Sequence, residues 1–209
     1  MIGVVAWEGE SATVLSWLAL VAVPPFAALA LGWLVHGARP EWTAAILPLF
    51  ALAWASPDSL IGEAAATALT ALGCIGPGWL LVSVAPASWL KLGIYAMAAV
   101  DTWFVATDLL QGPNAVLTAA APAELPRLQA IHFGAAAMGF GDFFIAATLG
   151  CLLAGSRSRR LQAAALVAIL ALAFDLLFFA VDTLPATVPV ALALALVELD
   201  RRKQGVTHT

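Results

Sequence analysis

The chain has 209 residues, of which 63% are hydrophobic and 11% charged, with a mean hydropathy of +0.97. A soluble domain carries about 25% charged residues, so the composition argues against an ordinary water-facing globule. The net charge of −4 and a pI near 5.2 come without a basic patch and argue against nucleic acid as a partner.

Runs of about 20 apolar residues follow one another almost to the C-terminus, which predicts an all-α, polytopic transmembrane bundle. Barrel strands would alternate over about ten residues, and these runs do not alternate. The N-terminal MIGVVAWEGES is acidic and lacks the positive region of a secretory signal, so the first apolar run reads as a retained span. The apolar segments fall near 12–36, 42–56, 59–76, 77–90, 91–111, 129–154, 161–181 and 184–199. Pro48, Pro57, Pro77 and Pro86 interrupt the region from 42 to 90, which leaves the number of spans at seven or eight. Glu63 marks an end or a tilted start of its segment. All eight tryptophans lie at or before Trp103, toward segment ends, where interfacial anchors collect.

The organisation that follows has residues 1–90 as N-terminal transmembrane helices, 91–199 as a second transmembrane half and 200–209 as a cytoplasmic tail. Arg157, Arg159 and Arg160 form one basic cluster, and Arg201, Arg202 and Lys203 form another. Two helices separate them, so both can lie on the cytoplasmic side of the cell membrane, as the positive-inside rule prefers. The loop 112–128, which holds Glu124 and Arg127, then faces outward.

Two acids interrupt the apolar segments. Asp101 lies in GIYAMAAVDTWFVATDLL, and Asp142 closes Gly139-Phe140-Gly141-Asp142 near the middle of 129–154. An acid at the bilayer centre costs roughly 2.5–3.5 kcal/mol even on the mild insertion scale. Two at matching depth on successive segments therefore imply a joint purpose. Two carboxylates sharing one proton can hydrolyse a peptide bond: one accepts a proton from water while the other hydrogen-bonds the scissile carbonyl. Their separation of 41 positions allows antiparallel neighbouring helices, which would let the pair meet. Gly139 and Gly141 are read as clearing one helical turn for the close approach of another backbone. Pro185 and Pro189 predict a broken start to the last helix, with irregular backbone beside a cavity.

These stretches resemble the presenilin and signal peptide peptidase family of GxGD intramembrane aspartyl proteases. That family has an aspartate in one helix, GxGD in the next, and Pro-Ala-Leu opening the final helix. Here AVDTWFVATDLLQGP, MGFGDFFIAATLG and TLPATVPVAL stand in that order, over roughly residues 91–199. The resemblance implies a presenilin-like fold with Asp101 and Asp142 as the catalytic pair. Gly139, Phe140 and Gly141 would form the GxGD motif, and Pro185 and Ala186 would begin the Pro-Ala-Leu element. It implies transmembrane peptides or signal-peptide remnants as substrates, with no metal or organic cofactor. Val100 replaces the usual tyrosine and Thr187 the usual leucine. The Thr187 hydroxyl is expected to offer the aspartate pair nothing. The chain is also shorter than the nine-helix family pattern.

Other residues carry lesser expectations. Cys74 and Cys151 read as small buried hydrophobes. His36, His132 and His208 are scattered and pair with no cysteine, so no metal spacing exists. His132 is placed at the start of the GxGD helix, Asp108 at a solvated helix end, and Asp175 deep in its segment. Two further classes compete. A type IV prepilin peptidase also uses GxGD with a distant Asp, but Phe143 and Phe144 follow Asp142 where those enzymes have Val-Lys. A small proton-coupled transporter would use Asp101, Asp142 and Asp175 as a relay.

Overall fold

The computed structural model describes residues 2–107, 125–133, 136–179 and 184–206. Asp108, Glu124 and most of the expected outer loop lie outside the described residues. Those described form seven α-helices and one two-stranded hairpin, so the fold class is all-α. The helices are α1 (Ile2–Leu29), α2 (Ile46–Ala55), α3 (Leu60–Val84), α4 (Ala87–Ala106), α5 (Phe140–Leu152), α6 (Arg157–Asp175) and α7 (Val188–Val206). The hairpin pairs β1 (Ala130–Phe133) with β2 (Ala136–Gly139). Two helical stretches are long and apolar enough to cross a membrane, Ser11–Leu34 and Leu60–Val84.

The backbone divides into two compact units, Met1–Leu80 with Leu109–Phe144, and Leu81–Asp108 with Ile145–Thr209. Neither coincides with the stretches 1–90 and 91–199. In the first unit, Val23 and Ala27 of α1, Ile46 and Ala53 of α2, and Ala65 and Leu69 of α3 bury together around Leu128. Thr70 of α3 donates its hydroxyl to the Leu128 carbonyl at 3.2 Å, which ties the segment entering β1 to that core.

The break expected between 76 and 77 is absent, because α3 runs through Pro77 as one helix of 25 residues. Contacts with α1 support it there. A Cβ at Gly73 would stand 2.9 Å from Val23 Cγ1 and 3.1 Å from the Val23 carbonyl oxygen, and one at Gly76 would meet Phe26 Cδ1 at 2.7 Å. Glycine at both positions lets α1 approach closely and hold α3 together across the missing hydrogen bond.

Ser59 caps α3: its hydroxyl accepts the Gly62 N–H at 3.1 Å and donates to the Ser56 carbonyl at 2.9 Å. The turn folds so tightly that a Cβ at Gly62 would strike the Ser56 carbonyl. Backbone cannot swing away as a side chain can, so Gly62→Ala is expected to destabilise by about 1–3 kcal/mol. A thermal melt of the purified variant checks this, with a midpoint lowered by roughly 2–10 °C.

In the second unit α7 is the central helix and packs against both α4 and α6. Val190, Ala193, Leu194 and Val197 of α7 are buried, as are Ile94 and Ala98 of α4 and Ala163 of α6. Lys91 of α4 and Glu198 of α7 form an ion pair at 2.8 Å, with side chains 27% and 24% exposed. A pair so accessible contributes at most about 1 kcal/mol. Lys91→Met is therefore expected to lower the melting midpoint by no more than about 4 °C. The stretch expected as a tail begins inside α7, which continues to Val206.

Candidate active site

Asp101 sits near the end of α4, five residues before Ala106, rather than at the middle of a long span. It continues the buried stripe of Leu90, Ile94 and Ala98, spaced so that these residues share one helical face. At the end of that stripe its carboxylate meets the start of α7. Asp101 Oδ2 accepts the Thr187 backbone N–H at 3.1 Å and the Thr187 hydroxyl at 2.7 Å. The neighbouring hydroxyl, Thr102, is directed elsewhere, to the Ala98 carbonyl at 2.7 Å.

Thr187 is fully buried and its carbonyl accepts the Ala191 N–H at 3.1 Å, which makes it the N-cap of α7. Pro189 then falls in the first turn, where its missing N–H leaves no intrahelical partner unsatisfied. Pro185 and Ala186 lie in the turn before the helix, closed by a 3.3 Å bond from the Val188 N–H to the Pro185 carbonyl. Pro185 is buried. The expectation that the Thr187 hydroxyl offers nothing is overturned by its 2.7 Å bond to Asp101. Threonine before Val-Pro is a readable helix-start signal, and it could have marked Thr187 as more than a mismatch.

Asp142 lies in the first unit, in the first turn of α5. The mid-helix placement is therefore corrected: residues 130–133 and 136–139 pair as strands, and the helix begins only at Phe140. Ile131 and Phe133 favour strand, and a short apolar run does not by periodicity distinguish strand from helix. His132 accordingly pairs with Ala137 in the hairpin instead of starting a helix. Gly139 ends β2 and stands at the N-cap of α5, and its N–H donates to Asp142 Oδ2 at 3.1 Å. This is the back-reaching half of a capping box, in which an acid three residues into a helix satisfies the N-cap amide.

The glycines do not clear a crowded helix crossing. A Cβ at Gly141 would meet nothing within 4 Å, and one at Gly139 would meet only Asp142 Oδ2 at 3.6 Å. What lies beside them is a cavity of about 460 Å³, walled by Leu15, Leu18 and Phe26 of α1, Pro77 of α3, and the Gly139-Phe140-Gly141 backbone. Cys74 of α3 points its thiol at the Phe140 carbonyl, 3.9 Å away, and is fully buried as a small hydrophobe should be.

The structure thus joins Asp101 to Thr187 within one unit and Asp142 to Gly139 within the other. Compared with protein-family models, curated proteins and solved structures, the chain matches none. Asp175, expected deep in its segment, is instead the exposed last residue of α6.

Proposed function

We propose that this chain is an intramembrane aspartyl protease of the cell membrane that uses Asp101 and Asp142 as its catalytic pair. The observation that carries the reading is that each carboxylate is already oriented by a helix N-terminus. Asp101 is held by the Thr187 amide and hydroxyl at the start of α7, and Asp142 by the Gly139 amide at the start of α5. Catalytic carboxylates need such fixed geometry, whereas incidental acids in apolar segments are more simply explained by a surface-seeking charge.

In the reaction, one ionised carboxylate takes a proton from water as its oxygen bonds the substrate carbonyl carbon. The other, protonated, gives its proton to the carbonyl oxygen. The tetrahedral species collapses as the first carboxyl passes the proton it gained to the leaving nitrogen, a hydroxyl of the species returns a proton to the second carboxylate, and the C–N bond breaks. No metal or organic cofactor is needed.

The substrate is a transmembrane peptide, including signal-peptide remnants, which must lose helical structure before attack. Strand β2 supports that requirement. The Phe140 N–H bonds inward to the Gln129 carbonyl at 3.1 Å, so by alternation the N–H and C=O groups of Ala137 and Gly139 point to the outer edge. An exposed strand edge is a template for an extended peptide, and this one leads directly into Asp142.

A multi-pass bundle in the bilayer, with the Arg157–Arg160 and Arg201–Lys203 clusters and the C-terminus cytoplasmic, completes the proposal. Exposed Trp33, Trp89 and Trp103, at 63%, 69% and 64%, favour a lipid-facing surface over a water-facing one. The test is cleavage of a single-span model substrate by purified protein in detergent, with products located by mass spectrometry. Cleavage inside the span supports the proposal. Cleavage lost to a chelator alone, or only outside the span, overturns it.

A further inference from the structure

We infer that Thr187 is the positioning residue for Asp101 and that it sets which carboxylate oxygen does the chemistry; this rests on the protease reading. Both Thr187 donors converge on Oδ2, at 3.1 and 2.7 Å. Among the described residues Oδ1 has no hydrogen-bond partner, so Oδ1 is the oxygen presented to water and to the scissile carbonyl. Two donors on one oxygen fix both the rotation of the carboxylate and its distance from the start of α7. A single donor would leave the group free to turn about that bond.

The arrangement needs a small hydroxyl side chain at this position. The amide alone would be supplied by any residue except proline, whereas the hydroxyl bond requires Ser or Thr. Leucine, the residue of the Pro-Ala-Leu pattern, lacks that donor, so the departure from the pattern is the feature that completes the contact. Thr187 is 2% exposed, and Pro185 and Pro189, both buried, restrict the backbone on either side. The hydroxyl therefore sits on a stiff element. It reaches a residue 86 positions away in sequence, so no local capping need explains it.

A purely structural contact would exist to satisfy a buried hydroxyl, and the two roles separate by experiment. Thr187→Val keeps the shape and the amide and removes the hydroxyl. Thr187→Ser keeps the hydroxyl. With wild type these are compared for kcat and KM on one transmembrane substrate, and for melting midpoint. Misplacement of a catalytic group by about 1 Å can cost on the order of 100-fold. The expected result is a kcat reduced roughly 10- to 100-fold in Thr187→Val, with KM within about twofold. Thr187→Ser should recover most of kcat, and Thr187→Leu should resemble Thr187→Val.

If wild type cleaves and Thr187→Val retains full kcat, the positioning role falls while the protease reading stands. If Thr187→Val loses stability and kcat together and Thr187→Ser restores both together, the contact is structural and the inference falls; if Thr187→Ser restores neither, the hydroxyl is not the group that matters and the inference also falls. If wild type does not cleave within the span, both fall.

Discussion

Asp101→Asn and Asp142→Asn are each expected to abolish cleavage, on the order of 10⁴-fold or more, with the protein still inserted and folded. Asparagine retains an amide oxygen that can accept the Thr187 bonds at one position and the Gly139 bond at the other, so neither helix start loses its partner. What asparagine cannot do is carry or exchange the proton. A lone carboxylate cannot serve as base and acid in the same step, so the two losses should be equally complete. Retained activity in either variant would remove that residue from the mechanism. Cysteines placed at 101 and 142, with Cys74 and Cys151 replaced, test the pairing itself: a bis-thiol reagent spanning roughly 10 Å should join them, since resting catalytic geometry is often loose. Two fully labelled but unjoined cysteines would show that the acids do not work together.

Ala137→Pro is the second large effect expected. The Ala137 N–H points to the outer edge of β2 and not into the hairpin, so proline there removes no bond to β1 and suits an edge strand. Stability should change little. On the protease reading, however, a substrate strand would lose a donor shortly before Asp142, and the ring would obstruct its approach. Cleavage should fall by about tenfold or more, with the loss chiefly in KM, because a missing binding partner weakens the complex before chemistry begins. Met138→Pro serves as contrast: its N–H points inward, so the variant should damage the hairpin and the melting midpoint as well. Equal cleavage by Ala137→Pro and wild type would show that the substrate does not use this edge.

The all-α class and the approximate place of α4 were legible because apolar length and periodicity report helices directly. Glu63, which the sequence leaves as an end or a tilted start of its segment, falls in the first turn of α3. The hairpin was not legible, since QAIHFGAAAMG is apolar but for Gln129 and His132 and carries neither a strand's alternation nor a helix's stripe. Pro77 misled for a different reason. Its break is offset by Gly73 and Gly76 packing on α1, and that tertiary support is invisible along the chain. Thr187 was discounted because it was compared with a pattern instead of with its neighbours. Its role depends on Asp101, 86 residues earlier. The two acids were the readable part of the candidate site; the groups that orient them were not.

The amide of Gly139 can make one strong bond at a time, and at rest that bond belongs to Asp142. It also lies on the outer edge of β2, in line with Ala137. A peptide pairing along that edge as far as Gly139 would compete with Asp142 for this amide. On the protease reading, substrate pairing and the cap of α5 are therefore coupled through a single N–H.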